Sequence, residues 1–233
     1  MGFSDCFLSC QVFGDVVCFK QCPRLRSVQF VGCRQVRGNV RVFEATPLLW
    51  RLFFYHSQLA GLLSPKLVKL ISNIRQRGGE VRLWKCGRFV LPSDLSELAR
   101  GFYHFDLSGI TSLEGSLKCL AQLPMVETVS LEHCPALHGD FNVFDKLWKL
   151  RVLKLEGCEG VTGNVTAFKD CTKLEYLDLT NTGAEGNVSV FEKLAVNHSR
   201  LTKVKVSGTK CYEGSPQAAK TAFSAQKRAN GSF

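Results

Sequence analysis

LRVLKLEGCEGVTGNVTAF, residues 150–168, and LEYLDLTNTGAEGNVSVF, residues 174–191, are two copies of one short pattern. In both, leucines stand at offsets 0, 3 and 5 from the first residue: Leu150, Leu153 and Leu155, then Leu174, Leu177 and Leu179. Cys158 or Thr182 follows at offset 8, and a Gly-Asn-Val comes shortly after. The copies start 24 residues apart. A repeat of this length marks a solenoid, because one unit cannot bury its apolar face alone and is stable only when stacked on its neighbours.

The same ruler extends in both directions. Steps of 24 residues toward the N-terminus land on Val126, Phe102 and Gly78; a step of 29 reaches Leu49, and two more of 24 reach Leu25 and Met1. Toward the C-terminus, Leu201 follows Leu174 after 27 residues. Offset 3 reads Val28, Leu52, Val81, Phe105, Val129 and Val204 in the other units, and offset 5 reads Phe30, Phe54, Leu83, Leu107, Leu131 and Val206. Eight units are complete, and Met1 cuts into a ninth.

These columns resemble the leucine-rich repeat family, whose unit is L-x-x-L-x-L-x-x-N/C-x-L. The resemblance covers about residues 1 to 214. The second half of most units, as in Gly38-Asn39-Val40, Gly139-Asp140-Phe141 and Gly163-Asn164-Val165, is similar to the 24-residue L-x-G-x-I-P type of plant receptors, with Val in place of Ile-Pro. The expected fold is an α/β solenoid, a leucine-rich repeat arc of residues 1–211 with a 212–233 tail or short cap. Its concave side should carry one parallel sheet of about eight short strands, with period-2 alternation placing Leu177 and Leu179 inward and Asp178 outward.

The convex side is expected to be mostly loop and short turns over a column of stacked side chains at Phe19, Phe43, Leu120, Phe144 and Phe168, with Phe191 joining it. One clear helix is expected near 65–77, where Ser64 and Pro65 make a start and Gly78-Gly79 a stop. Leu67, Val68, Leu70, Ile71 and Ile74 give it one apolar stripe. A shorter helical candidate runs from Pro92 to Arg100 with Ser93 as cap.

Composition narrows the function classes. No apolar run approaches the roughly 20 residues of a membrane span, and MGFSDCFLSCQVF has no basic stretch before a long apolar segment, so neither anchor nor signal peptide is expected. Ten of the 11 cysteines fall on repeat columns, Cys33, Cys86, Cys134 and Cys158 at offset 8 among them. Cysteines placed by the repeat read as small buried hydrophobes, and an odd count suits reduced thiols; the expected location is therefore cytoplasmic, with a secreted framework as the alternative. No close cysteine pairs suggest zinc. The five histidines, His56, His104, His133, His138 and His198, do not recur at ligand spacing, and neither a GxSxG nor a phosphate loop is present. The expectation is a non-enzymatic chain with no catalytic, metal or cofactor site.

Outward positions of the strands are free of the packing rule and so carry functional information. At offsets 1, 2, 4 and 6 the second to fourth complete units place Trp50, Arg51, Phe53, Tyr55, Arg82, Trp84, Tyr103 and His104. Aromatics and Arg dominate protein-binding hot spots, so these eight form the expected partner-binding site. Adjacent parallel strands place Phe53 beside Arg82, and Tyr55 beside Trp84 as a flat aromatic platform. The formal charge of +10 belongs to the first half: residues 1–100 carry +9, residues 101–211 carry −1, and the tail +2. The expected function is a protein-protein interaction scaffold binding through its concave face. Its alternatives are nucleic-acid or acidic-surface binding by the basic first half, and a fragment of a secreted receptor ectodomain.

Overall fold

The computed structural model describes residues 5–9, 13–198 and 201–213. Over the described residues the chain climbs in nine rungs, each made of two short strands. The first rungs are β1 (Asp5–Ser9) with β2 (Phe13–Asp15) and β3 (Ser27–Val31) with β4 (Gln35–Asn39). β5 (Arg51–Tyr55) and β6 (Gln58–Leu62) lead into helix α1 (Pro65–Gln76), followed by β7 (Glu80–Trp84) and β8 (Phe89–Val90). Then come β9 (His104–Asp106), β10 (Leu113–Ser116), β11 (Thr128–Ser130), β12 (Leu137–Asp140), β13 (Val152–Lys154) and β14 (Val161–Asn164). β15 (Tyr176–Asp178), β16 (Gly183–Asn187), helix α2 (Ser189–His198), β17 (Lys203–Lys205) and β18 (Lys210–Tyr212) complete the arc. This is a leucine-rich repeat solenoid of the α/β class. Residues 214–233, nearly all of the expected tail, lie outside the described residues.

The odd-numbered strands line the concave side in parallel. Val129 faces Leu153, Leu153 faces Leu177, and Leu177 faces Val204, so like offsets stand side by side. Leu52, Phe54, Leu83, Phe105, Leu153 and Leu177 are fully buried in one continuous core. Burying a Leu or Phe side chain contributes about 1.5–3 kcal/mol, and every rung repeats that gain at the same columns. Asp178 departs from the expectation. It is 0% exposed rather than outward in solvent, because Lys205 of the next rung and Tyr176 of its own strand close over it.

The concave sheet is divided. β1, β3, β5 and β7 form one sheet of four strands, and β9, β11, β13, β15 and β17 another of five. Between them stands α1. Its Ser72 hydroxyl accepts from the Asp106 N–H at 3.1 Å, and Arg75 donates to the carbonyl oxygens of Val81 (2.8 Å) and Ser108. Side chains of the helix thus satisfy groups that two paired strands would give each other. α1 itself is built as the sequence predicts. The Ser64 hydroxyl accepts from the Leu67 N–H at 3.2 Å, Pro65 takes the first turn, and Leu67, Val68, Ile71 and Ile74 are buried.

A second sheet occupies the side expected to be mostly loop. All even-numbered strands join in one nine-stranded parallel sheet, from β2 to β18 without interruption. After it the chain turns through short 3-10 segments whose N-caps are Asp15, Asn39, Ser116, Asp140 and Asn164, each accepting from the N–H two residues on. That explains the Gly-Asn/Asp of the repeat. A Cβ on Gly38 would lie 2.5 Å from the Asp15 carboxylate oxygen, and one on Gly186 would lie 2.6 Å from the Asn164 side-chain oxygen. The cap of one rung needs the bare backbone of the next.

Two helical expectations change. The Pro92–Arg100 candidate is one 3-10 turn, Ser96–Leu98, because Leu95 donates its N–H to Gln122 of the next rung and Asp94 caps Ser96. α2 is a second helix, in the 27-residue unit. The phenylalanine column stacks in two pieces. Phe19 and Phe43 have centroids 5.9 Å apart, Phe144 and Phe168 5.7 Å, and Phe168 and Phe191 6.3 Å. Leu120 and α1 occupy the stretch between.

Candidate functional site

At the C-terminal edge of the four-stranded sheet, β5 and β7 hold six of the eight expected binding residues in or beside one patch. Register pairs Arg51 with Glu80, Phe53 with Arg82 and Tyr55 with Trp84. Alternation sends Leu52, Phe54, Val81 and Leu83 into the core and leaves their neighbours on the concave surface. The Arg82 guanidinium lies between two rings, its Cζ 5.7 Å from the Phe53 centroid and 5.5 Å from that of Trp84. Glu80 fixes it from below, 2.5 Å from Arg82 Nη2 and 3.1 Å from Arg51 Nε. Trp50, just before β5, is exposed, and its backbone ties Arg26 to Glu80 across three strands.

Tyr55 and Trp84 do not form the expected flat platform. Tyr55 meets His56 edge-on at 4.4 Å and carries the Lys85 ammonium 5.5 Å from its centroid. Trp84 leans the other way, over Gly109, where a Cβ would stand 3.5 Å from its indole nitrogen. The result is a depression of ≈ 530 Å³ lined by Phe53, Tyr55, Trp84, Lys85 and Thr111. It opens where the concave sheet is interrupted, so α1 creates the site by keeping β7 and β9 apart. Tyr103 and His104 lie beyond that interruption, His104 on β9 opposite Thr128.

Lys85 and Thr111 were missed from the sequence, although Lys85 carried a signal. It occupies offset 7, where four units have Gly32, Gly109, Gly157 and Gly208 and three have His56, His133 and Asn181, and it shares their left-handed backbone (φ 50°). A lysine kept at a glycine position is strained by about 1 kcal/mol. Desolvation, then the charges of Lys85 and Arg34, hold the neighbouring His56 below the usual imidazole range. The local field is therefore positive.

The five-stranded sheet presents a different surface. Ser108 and Ser130 hydroxyls are 2.6 Å apart, and Ser130 donates to Glu132. Arg151 makes a two-pronged contact with Glu175 at 3.0 and 3.1 Å. Asp178 accepts from Lys205 (2.6 Å), from the Tyr176 hydroxyl (3.1 Å) and from the Thr180 N–H (3.1 Å). Burial pushes its carboxyl up, but these hydrogen bonds together outweigh it and hold the group below the usual range, while the bonds to Asp178 and Tyr176 raise Lys205. This face satisfies itself. Among the described residues, no three His, Cys, Asp or Glu side chains converge as a metal site requires, and no helix is long and apolar enough to cross a membrane.

No family model and no curated protein matches the chain. Among solved structures it is similar to the plant peptide hormone receptor RGFR1 in complex with RGF2, at 18% identity over 88% of this chain and 36% of that one, TM-score 0.44. It is also similar to the LRR ectodomain of the receptor kinase SOBIR1 from Arabidopsis thaliana (18% identity, 69% of this chain, 70% of that one, TM-score 0.38). A plant ice-binding protein gives 16% identity, 88% and 72% coverage and a TM-score of 0.48. The chain spans about a third of the length of the hormone receptor. At such identities the likeness concerns the fold.

The cytoplasmic location expected from the cysteines is corrected. The solved structures it is similar to include two described as LRR ectodomains of plant receptor kinases, and the thiols behind the expectation report packing alone. Cys119, Cys134, Cys158 and Cys171 are buried and free of disulfide bonds. Burial pushes Cys119, Cys134 and Cys171 up to about 12 and Cys158 up to about 11. Cys158 donates to the Leu131 carbonyl at 3.0 Å, and Cys134 to that of Ile110 at 3.5 Å, each reaching into the preceding rung. Such a thiol has a structural partner that packing alone explains, whatever the compartment.

Proposed function

We propose that this chain is a non-enzymatic scaffold, built of 24-residue units of the plant type over residues 1–211, that binds a protein or peptide partner through the concave face of its first four rungs. One observation carries the reading: an open, mostly apolar depression where Phe53, Tyr55 and Trp84 converge with Arg82 and Lys85. Aromatic and Arg anchors grouped around a concavity are what a protein hot spot needs. Trp50 and Arg51 extend the patch toward β3, while Tyr103 and His104, past the sheet interruption, are peripheral to it.

The basic first half supports a second reading, nucleic-acid binding with the aromatics as stacking platforms. The geometry favours the first, since Tyr55 turns to His56 and Trp84 to Gly109, which leaves a hollow rather than a flat platform for stacked bases. The test uses the partner recovered by affinity capture and identified by mass spectrometry, with binding then measured by calorimetry. Tyr55→Ser with Trp84→Ser leaves the Tm nearly unchanged and weakens binding by about 2 kcal/mol or more. Thr180→Ala with Ser207→Ala, at the same offset in the second half, changes little. Undiminished binding by the Tyr55/Trp84 variant removes the site, and a steep loss of affinity with salt turns the reading to nucleic acid.

A further inference from the structure

The depression and its surroundings differ in charge, and the difference specifies a ligand. Its floor is aromatic, from Phe53, Tyr55 and Trp84, and Thr111 completes the lining. Its rim is cationic: Arg82 lies between Phe53 and Trp84, Lys85 lies over Tyr55, and Arg34 is exposed on the turn after β3, two residues past Gly32, whose N–H donates to the Tyr55 carbonyl at 2.9 Å. None of the lining residues is a carboxylate. Glu80, on the same strand as Arg82 and Trp84, is held by Arg51 and Arg82. Among the described residues, neither Lys85 nor Arg34 forms an ion pair.

Two unpaired cations beside an apolar hollow leave a ligand two requirements. It must supply an apolar group small enough for one hollow, and negative charge on either side of that group. A polyphosphate chain meets the second requirement at this spot only. Following the concave face onward, it would meet Arg151 already shared between Glu127 and Glu175, and Lys154 already beside Glu132, so these cations are engaged before a phosphate arrives.

Resting on the partner-binding reading above, we infer that the depression takes one apolar side chain of an extended peptide segment whose adjacent residues are Asp or Glu. The aromatic floor buries the anchor, and Lys85 and Arg34 pair with the flanking carboxylates. Arg82, already shared with Glu80, orients the two rings that form the wall.

The experiment uses three labelled synthetic heptapeptides with a central Trp, flanked by glutamates, glutamines or lysines, together with labelled oligothymidylate, in fluorescence polarisation against the full chain. The glutamate peptide binds about tenfold more tightly than the glutamine peptide, as two partly exposed ion pairs allow, and the lysine peptide binds weakest. Lys85→Glu with Arg34→Glu, both exposed and folded as judged by circular dichroism, reverses the order of the glutamate and lysine peptides. Equal binding of the three peptides, or no binding of the glutamate peptide, overturns the inference. Tighter, Trp84-dependent binding of oligothymidylate overturns it and the partner-binding reading together. If Tyr55→Ser with Trp84→Ser loses the captured partner while Lys85→Glu with Arg34→Glu keeps it at full affinity, the acidic-segment inference falls and the site stands.

Discussion

The two concave sheets are built from one repeat and behave as opposites. In the four-stranded sheet the outward positions carry Phe53, Tyr55, Arg82 and Trp84, half-buried or exposed, with Lys85 and Arg34 unpaired beside them. In the five-stranded sheet the same columns carry Ser130, Lys154, Asp178 and Lys205; Ser130 is 5% exposed and Asp178 0%, each bonded to its own neighbours. One face keeps its interaction capacity for something outside the chain. The other has spent it internally. The boundary between them is α1, the helix of the 29-residue unit, so an irregularity in repeat length divides one surface into two with different chemistry.

The largest effects should erase the comparison altogether, because both halves share their inward columns. Leu52→Asp and Leu177→Asp each place an unpaired carboxylate at a fully buried site, where its desolvation is too costly for a charged group. Neither variant should give a cooperative thermal transition. If either melts like the parent, the inward register in that half is wrong.

Asp178→Leu tests the self-satisfied half. It strands the Thr180 N–H and the Tyr176 hydroxyl and leaves Lys205 without its acid, which should cost about 3 kcal/mol and lower the Tm by roughly 6–12 °C. Arg82→Leu, at the same offset but largely exposed, should cost less than about 1 kcal/mol. The pH dependence has a defined sign. The Asp178 carboxyl is held below its ordinary 3.8, so its contribution is complete above that value and is lost as pH falls through the lower folded pKa. Lys205, raised above 10.5, contributes below that value and loses its contribution as pH rises through the folded pKa. Acid melts should therefore show a shallower loss in Asp178→Leu than in the parent, and equal slopes would remove Asp178 as the titrating group.

The smallest effect separates strain from use. Lys85 and His133 both hold left-handed backbone at offset 7, with φ of 50° and 61°. Replacing either by Gly should stabilise the chain by up to about 1 kcal/mol, read as a rise in denaturant midpoint. Only Lys85→Gly should also weaken the glutamate peptide. Should His133→Gly weaken it equally, the functional distinction between the halves fails.

Much of the fold was legible because its causes recur. Leu177 is buried for the reason Leu153 is, and a periodic cause leaves a periodic trace in the sequence. The site was legible in part. Phe53, Arg82, Tyr55 and Trp84 could be placed side by side by counting, and their register pairs are those of the structure. Tyr103 and His104 were counted into the same patch because an unbroken sheet was assumed. Lys85 and Thr111 were passed over because they sit on turns rather than strands.

The sequence by itself determined the solenoid, the inward columns, the cap and stop of α1 and the concentration of aromatics and positive charge in the first half. Each follows from a residue's own preference or from a spacing repeated many times. Only the tertiary structure decided that the concave sheet divides at α1, that the other side is a second continuous sheet, that Asp178 is buried, and that Trp84 turns toward Gly109 to open a depression. These depend on groups brought together from different rungs: Arg75 with the Ser108 carbonyl, Asp178 with Lys205, Trp84 with Gly109. Each pair occurs once or in variable form, so no period announces it, and its energy exists only after the rungs have stacked.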